Sequence, residues 1–217
     1  KLGDDLSEKA KKKIGLANEN VGGIVVDESG NIYVTGGAGT NYPVTEGAYQ
    51  TTPIGNNAYI TKLSNNLEVI SSTTFGSGGQ QGKDLALDSE GNIYVLVGSS
   101  SGTIPTTPGA YADQPKGDYE LGIAKFDSNL SELIASTYFG GSGKDGSGDA
   151  AIALDDRNNI FIASGTMSID RALQEGIPIT PLDFPLTDNA FQEEVAVRYT
   201  NIGGGTTGFI SKFQAPP

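Results

Sequence analysis

GIVVDESGNIYVTG (23–36) reads as two short apolar strands hinged on a tight polar turn, and the chain writes this unit three times. The other copies are DLALDSEGNIYVLVG (84–98) and AIALDDRNNIFIASG (151–165). In each, an Asp closes the first strand (Asp27, Asp88, Asp155), where its carboxylate can accept from turn amides. Gly30 and Gly91 stand at the corner that needs positive φ, and Asn158 and Asn159 take that place in the third copy. Beyond the turn, Ile32, Ile93 and Ile160 alternate with Val34, Val95 and Ile162, the period of a strand. Tyr33, Tyr94 and Phe161 fall on the opposite face, so both faces are apolar. A sheet stacked between two others requires that pattern, and these aromatics are expected in the core.

Each copy continues in the same order. NYPVTEGAYQ (41–50), TIPTTPGAYA (103–112) and DFPLTDNAFQ (183–192) lead to AYITKL (58–63), LGIAKF (121–126) and GFISKF (208–213). The first two copies then finish with LEVISSTTFGSGG (67–79) and LSELIASTYFGGSG (130–143). Four strands with turns between them make a unit the size of a propeller blade. The expectation is an all-β chain of about three four-stranded antiparallel β-propeller blades near 21–79, 83–143 and 149–213, in a single domain spanning 1–217. The ordered motifs resemble the bacterial β-propeller repeat family called SBBP over residues 21–213, most closely in the second copy. The third copy departs from the pattern in two loops. That resemblance implies an exported or surface-associated protein and no shared catalytic activity.

KLGDDLSEKAKKKIG (1–15) can be laid on KFDSNLSELIASTYFG (125–140), so that Lys1, Leu2, Leu6, Ser7 and Glu8 meet Lys125, Phe126, Leu130, Ser131 and Glu132. The third copy ends GFISKFQAPP, whose closing prolines cannot donate to a ladder. Residues 1–15 are therefore expected to act as an outer closing strand for the third blade, in cis or in trans. Three blades are too few to close a ring. The readings left open are a piece of a longer protein, a ring of several chains, and a head-to-tail filament. The expected assembly interface joins Leu2, Leu6, Ala10 and Ile14 to Phe209, Ile210 and Phe213. LSEKAKKKIG (6–15) also reads as a helix with a basic face. Because the chain begins with Lys1 rather than Met, we expect a processed product, extracellular or at the cell surface.

Composition narrows function. The chain has no Cys, His or Trp, which removes thiolate and imidazole chemistry and disulfides. Its 26 acidic and 14 basic residues give a net charge of −12, the wrong sign for a nucleic-acid partner. No apolar run has the length of a membrane span.

GGSGKD (140–145) lacks the phosphate-loop frame, and Asp145 would repel phosphate. It does match the start of a calcium-binding G-G-x-G-x-D turn, but Ser147 stands where an apolar residue belongs. A connector between blades is the expectation, with calcium near Asp145 the one metal reading the motif leaves open; no cofactor is expected. Asp4–Asp5, Asp155–Asp156 and Glu193–Glu194 are sequence neighbours, which point to opposite sides of a strand and make poor acid–base pairs. Ser211–Lys212 suggests a dyad only until Lys62 and Lys125 are seen at the same place in the repeat, with Thr61 and Ala124 before them. The Lys is expected to be architectural, stem packed and head wet.

The third copy carries a much longer run between Gly165 and Pro185 than Gly36–Pro43 or Gly98–Pro105. Met167, Ile169, Leu173, Ile177 and Phe184 in it form a candidate binding face. The leading expectation is a non-catalytic structural or interaction protein that self-assembles through its N-terminal strand. The alternative is a module binding polysaccharide or another surface protein by the third-copy loops. A propeller-based lyase or hydrolase comes last.

Overall fold

The computed structural model describes residues 10–15, 19–166 and 207–214. Among them there is no helix, and eleven strands form three antiparallel sheets. Sheet 1 runs β1 (Gly23–Val26), β2 (Ile32–Ala38), β3 (Asn57–Leu63) and β4 (Val69–Phe75). Sheet 2 runs β5 (Gln80–Leu87), β6 (Ile93–Ser99), β7 (Glu120–Phe126) and β8 (Leu133–Phe139). Sheet 3 holds β9 (Asp145–Leu154), β10 (Ile160–Thr166) and β11 (Thr207–Phe213), with β11 at its edge. The described residues are all-β, as the sequence predicts, and each sheet is a meander of neighbours in sequence.

The repeated Asp makes the first hairpin of every sheet. In sheet 1, Asp27 accepts from the Asn31 amide at 2.8 Å and the Asn31 side chain at 2.9 Å. Asp88 holds Asn92 in the same way at 2.8 and 2.9 Å, and Asp155 holds Asn159 at 2.8 and 2.7 Å. Gly30, Gly91 and Asn158 take positive φ at the corner, as the sequence predicts. Burial pushes the Asp88 carboxyl up, but the Asn92 bonds and Lys125 outweigh it and hold it below the ordinary carboxylate value. The Asn159 side chain does the same for Asp155.

Register repeats too. Ile32 pairs with Leu63, Ile93 with Phe126 and Ile160 with Phe213, so Ile60, Ile123 and Ile210 are equivalent positions. The sheets stack in order. Tyr33, Ile60 and Phe75 of sheet 1 meet Leu85, Ile93 and Val95 of sheet 2 in one core. Tyr94, Leu96 and Ile123 of sheet 2 meet Ile152, Ile160 and Ile162 of sheet 3 in a second. The first strands of the three sheets, β1, β5 and β9, are successive neighbours. At Gly82 on β5 a Cβ would lie 1.9 Å from the Thr35 hydroxyl oxygen of β2, so only glycine permits that approach.

Two expectations need correction. The connector expected at 140–145 ends at Lys144, because β9 starts at Asp145, and at the matching place in the first repeat β5 starts at Gln80. Each of those side chains draws the connector into the sheet: Gln80 accepts from Gly78 N–H and donates to Ser99, and Asp145 accepts from Gly141 N–H and Thr166. The repeated lysines do not simply hang in water. The ammonium groups of Lys62, Lys125 and Lys212 lie 5.2, 5.0 and 5.4 Å from the ring centres of Tyr33, Tyr94 and Phe161. Lys125 also pairs with the buried Asp88 at 3.1 Å. The head is part of the architecture along with the stem.

Candidate functional site

β11 is the edge strand of sheet 3 among the described residues, and its side chains divide sharply by face. Phe209 and Phe213 turn toward sheet 2, where Phe139 meets their rings edge-on at 5.7 and 4.8 Å. Ile210 turns the other way and is 80% exposed, whereas Ile60 and Ile123 at the same position are 0% and 5% exposed. Among the described residues, the difference is a missing neighbour. Each of the other two isoleucines is covered by the next sheet in the stack. Ala151, Ala153 and Ala163 share the exposed face of sheet 3 with Ile210, while at the opposite end of the stack Ile24 and Val26 of sheet 1 are exposed.

The outer margins of the two junctions differ as well. Between sheets 1 and 2 the margin is filled by the turn from β7 to β8. Leu130, at φ 61°, is fully buried there beside Tyr33, Ile60, Ile93 and Phe126. Its carbonyl accepts from Tyr49 N–H at 2.8 Å, and the Ser128 carbonyl accepts from Lys62 at 3.2 Å. Between sheets 2 and 3 the matching place is a groove of about 500 Å³. Tyr94, Tyr111, Ile123, Ile134, Ile160 and Phe213 line it. Tyr111 is 60% exposed there, although its ring still touches Phe213 at 6.1 Å.

At the opposite margin of β7, the strand register makes Asn57 equivalent to Glu120, and Gln80, paired with Ser99, equivalent to Asp145, paired with Thr166. Both acids are buried, Glu120 at the start of β7 and Asp145 at the start of β9. A Cβ at Gly140 would lie 2.7 Å from an oxygen of each, so the two carboxyl groups crowd one glycine. Burial pushes the Glu120 carboxyl up to about 7; the Asp145 charge adds to this, while bonds from the Gly117 and Lys116 amides oppose it. Sequence reading passed over this pair, since the two acids lie far apart in the chain. Aligned on their shared Lys–Asp, the repeats set Asp145 beside Asp84, so the sequence alone gives no sign of the pair.

The expected interface residues are scattered. Ala10 is exposed, and Ile14 packs on the outer face of sheet 1 against the cluster of Val34, Ala38, Tyr42, Tyr59 and Leu63. Residues 10–15 form no strand within the chain. Leu2 and Leu6 lie outside the described residues, as do Met167, Ile169, Leu173, Ile177 and Phe184. Among the described residues no three acidic side chains gather in a group that could hold a metal ion, and no helix is long and apolar enough to cross a membrane. Near Asp145, the oxygens are engaged by Gly141 and Thr166.

The fold and the site define an all-β repeat protein of three stacked sheets in which, among the described residues, the far face of sheet 3 is exposed and that of sheet 1 is partly covered. No protein-family model matches the chain, and no curated protein matches it.

Proposed function

We propose that the chain is a non-catalytic structural or interaction protein of the cell exterior, built from β-propeller blades, that self-associates when its N-terminal segment adds to sheet 3 of another copy. The observation that carries this reading is the contrast at one repeated position: Ile210 is bare where Ile60 and Ile123 are buried by the next sheet, so a copy whose N-terminal segment adds beside β11 would stack its own sheet 1 on this face. Covering such a side chain is worth roughly 1.5–3 kcal/mol. β11 also presents an edge to which a strand can pair. The sequence resemblance to the SBBP repeat supports propeller geometry and export, and it rests on the quoted motifs alone. Successive first strands and a one-directional stack agree with that geometry. The first fifteen residues echo the turn and strand that follow β7. Deleting residues 1–15 and measuring particle mass by light scattering tests the reading. A drop to the single-chain mass is expected, and an unchanged assembly would exclude strand exchange.

A further inference from the structure

We propose that the open groove between sheets 2 and 3 is the receptor for the N-terminal turn of a second copy, with Leu6 as the knob that fills it. The proposal rests on the strand-addition reading above and gives it an anchoring site. Its template is inside the molecule. Where sheets 1 and 2 meet, the sequence KFDSNLSE (125–132) forms the turn that plugs the margin with Leu130. Residues 1–8 read KLGDDLSE, with Leu6 at the place of Leu130. The receptor walls correspond as well: Tyr111 to Tyr49, Ile123 to Ile60, Ile134 to Ile70, Ile160 to Ile93 and Phe213 to Phe126. A groove that already matches its occupant's shape and chemistry costs little reorganisation on binding.

The inserted turn repeats three contacts seen in the closed junction. Tyr111 N–H donates to the Leu6 carbonyl, as Tyr49 N–H does to Leu130 at 2.8 Å. The Tyr111 ring closes over the leucine against Phe213, as the Tyr49 ring meets Phe126 edge-on at 5.5 Å. Lys125, on the groove wall, takes the carbonyl at residue 4 as Lys62 takes that of Ser128. Ser7 and Glu8 then lead into the strand that pairs with β11.

The occupant is a second copy rather than the same chain. Ile14 is held on the outer face of sheet 1, and two stacked sheets at about 10 Å each separate that face from the groove. At no more than about 3.5 Å per residue, the stretch from residue 14 to residue 6 reaches about 28 Å, too little to pass around the sheet edges over that distance and still form the turn.

The test uses the full chain, which contains no Cys. Leu6→Asp should leave the circular dichroism unchanged and weaken self-association at least tenfold by light scattering. A chain carrying Leu6→Cys, mixed with one carrying Tyr111→Cys and oxidised, should give a disulfide-linked pair of unlike chains. The single backbone bond expected between these residues brings their Cα atoms within the disulfide range. Leu6→Asp assembling like the parent, while deletion of 1–15 abolishes assembly, would overturn the groove and leave strand addition standing. Assembly surviving both changes would overturn both. A disulfide closing inside a monomer of the double variant Leu6→Cys/Tyr111→Cys would overturn the second-copy occupant.

Discussion

The junction between sheets 1 and 2 and that between sheets 2 and 3 use the same residue types in the same register, yet only the first is sealed. In the first, the β7–β8 turn seats Leu130 in the margin, Tyr49 is bound to it, and Lys62 reaches across to Ser128. In the second, a groove lies where that leucine would sit, Tyr111 is exposed, and Lys125 pairs with Asp88 of its own sheet. The inner corners differ too, with Asn57 and Gln80 at one and Glu120 and Asp145 at the other. Sealing a junction therefore takes more than two matching faces: it needs the turn that belongs to the fourth strand of the following sheet. The first junction is a finished example of what the second would become.

The largest effect should come from unsealing the first junction. Leu130→Ala removes a fully buried side chain and is expected to lower unfolding free energy by about 2–5 kcal/mol in urea titrations. Tyr111→Ala, at the open groove, should cost no more than about 1 kcal/mol in the same assay at low chain concentration. Equal losses would mean that the second margin is as sealed as the first.

Next comes the acid corner. Glu120 has a folded-state value near 7, above its unfolded value, so the protonated folded state is favoured. Its contribution is full below about pH 4.5 and is lost as pH rises to about 7. Glu120→Gln should match the parent near pH 4.5 and exceed it by about 2 kcal/mol at pH 8. Asn57, the neutral counterpart, should give no such pH term. Thermal melts of parent and variant across that range read the difference directly.

The turn carboxylates act with the opposite sign. Asp27, Asp88 and Asp155 are held below their ordinary value, so their contribution is present above about 3.8 and disappears as pH falls below it. Asp88→Asn, which also leaves Lys125 without its carboxylate, should cost about 1–3 kcal/mol. The same change at Asp155, in the sheet with the open face, should cost less, and denaturant midpoints would rank the two. Smallest of all for the isolated chain is Ile210→Ser, which should leave the melting temperature unaltered while reducing assembly.

Much of this contrast was legible beforehand. The alternation of Ile32 with Val34, the Asp–Asn turns and the fourfold motif order specify three meandering sheets, because each signal is local. What escaped was set by stacking. Whether Phe209 or Ile210 is the exposed residue depends on which face the next sheet takes, and a period-two pattern apolar on both faces does not say. The partnership of Glu120 with Asp145 depends on a loop returning to the start of β7. Ile14 packs on the outer face of sheet 1, where no further sheet lies among the described residues, and nothing in the lysine-rich segment around it reports that.

The central claim is that the edge of sheet 3 is completed by another copy. Amide hydrogen exchange along 207–213, followed from dilute to concentrated chain, tests it most directly. Protection of β11 should rise with concentration toward that of β3, whose both edges are already paired. Exchange in β11 that stays fast and indifferent to concentration would contradict the account.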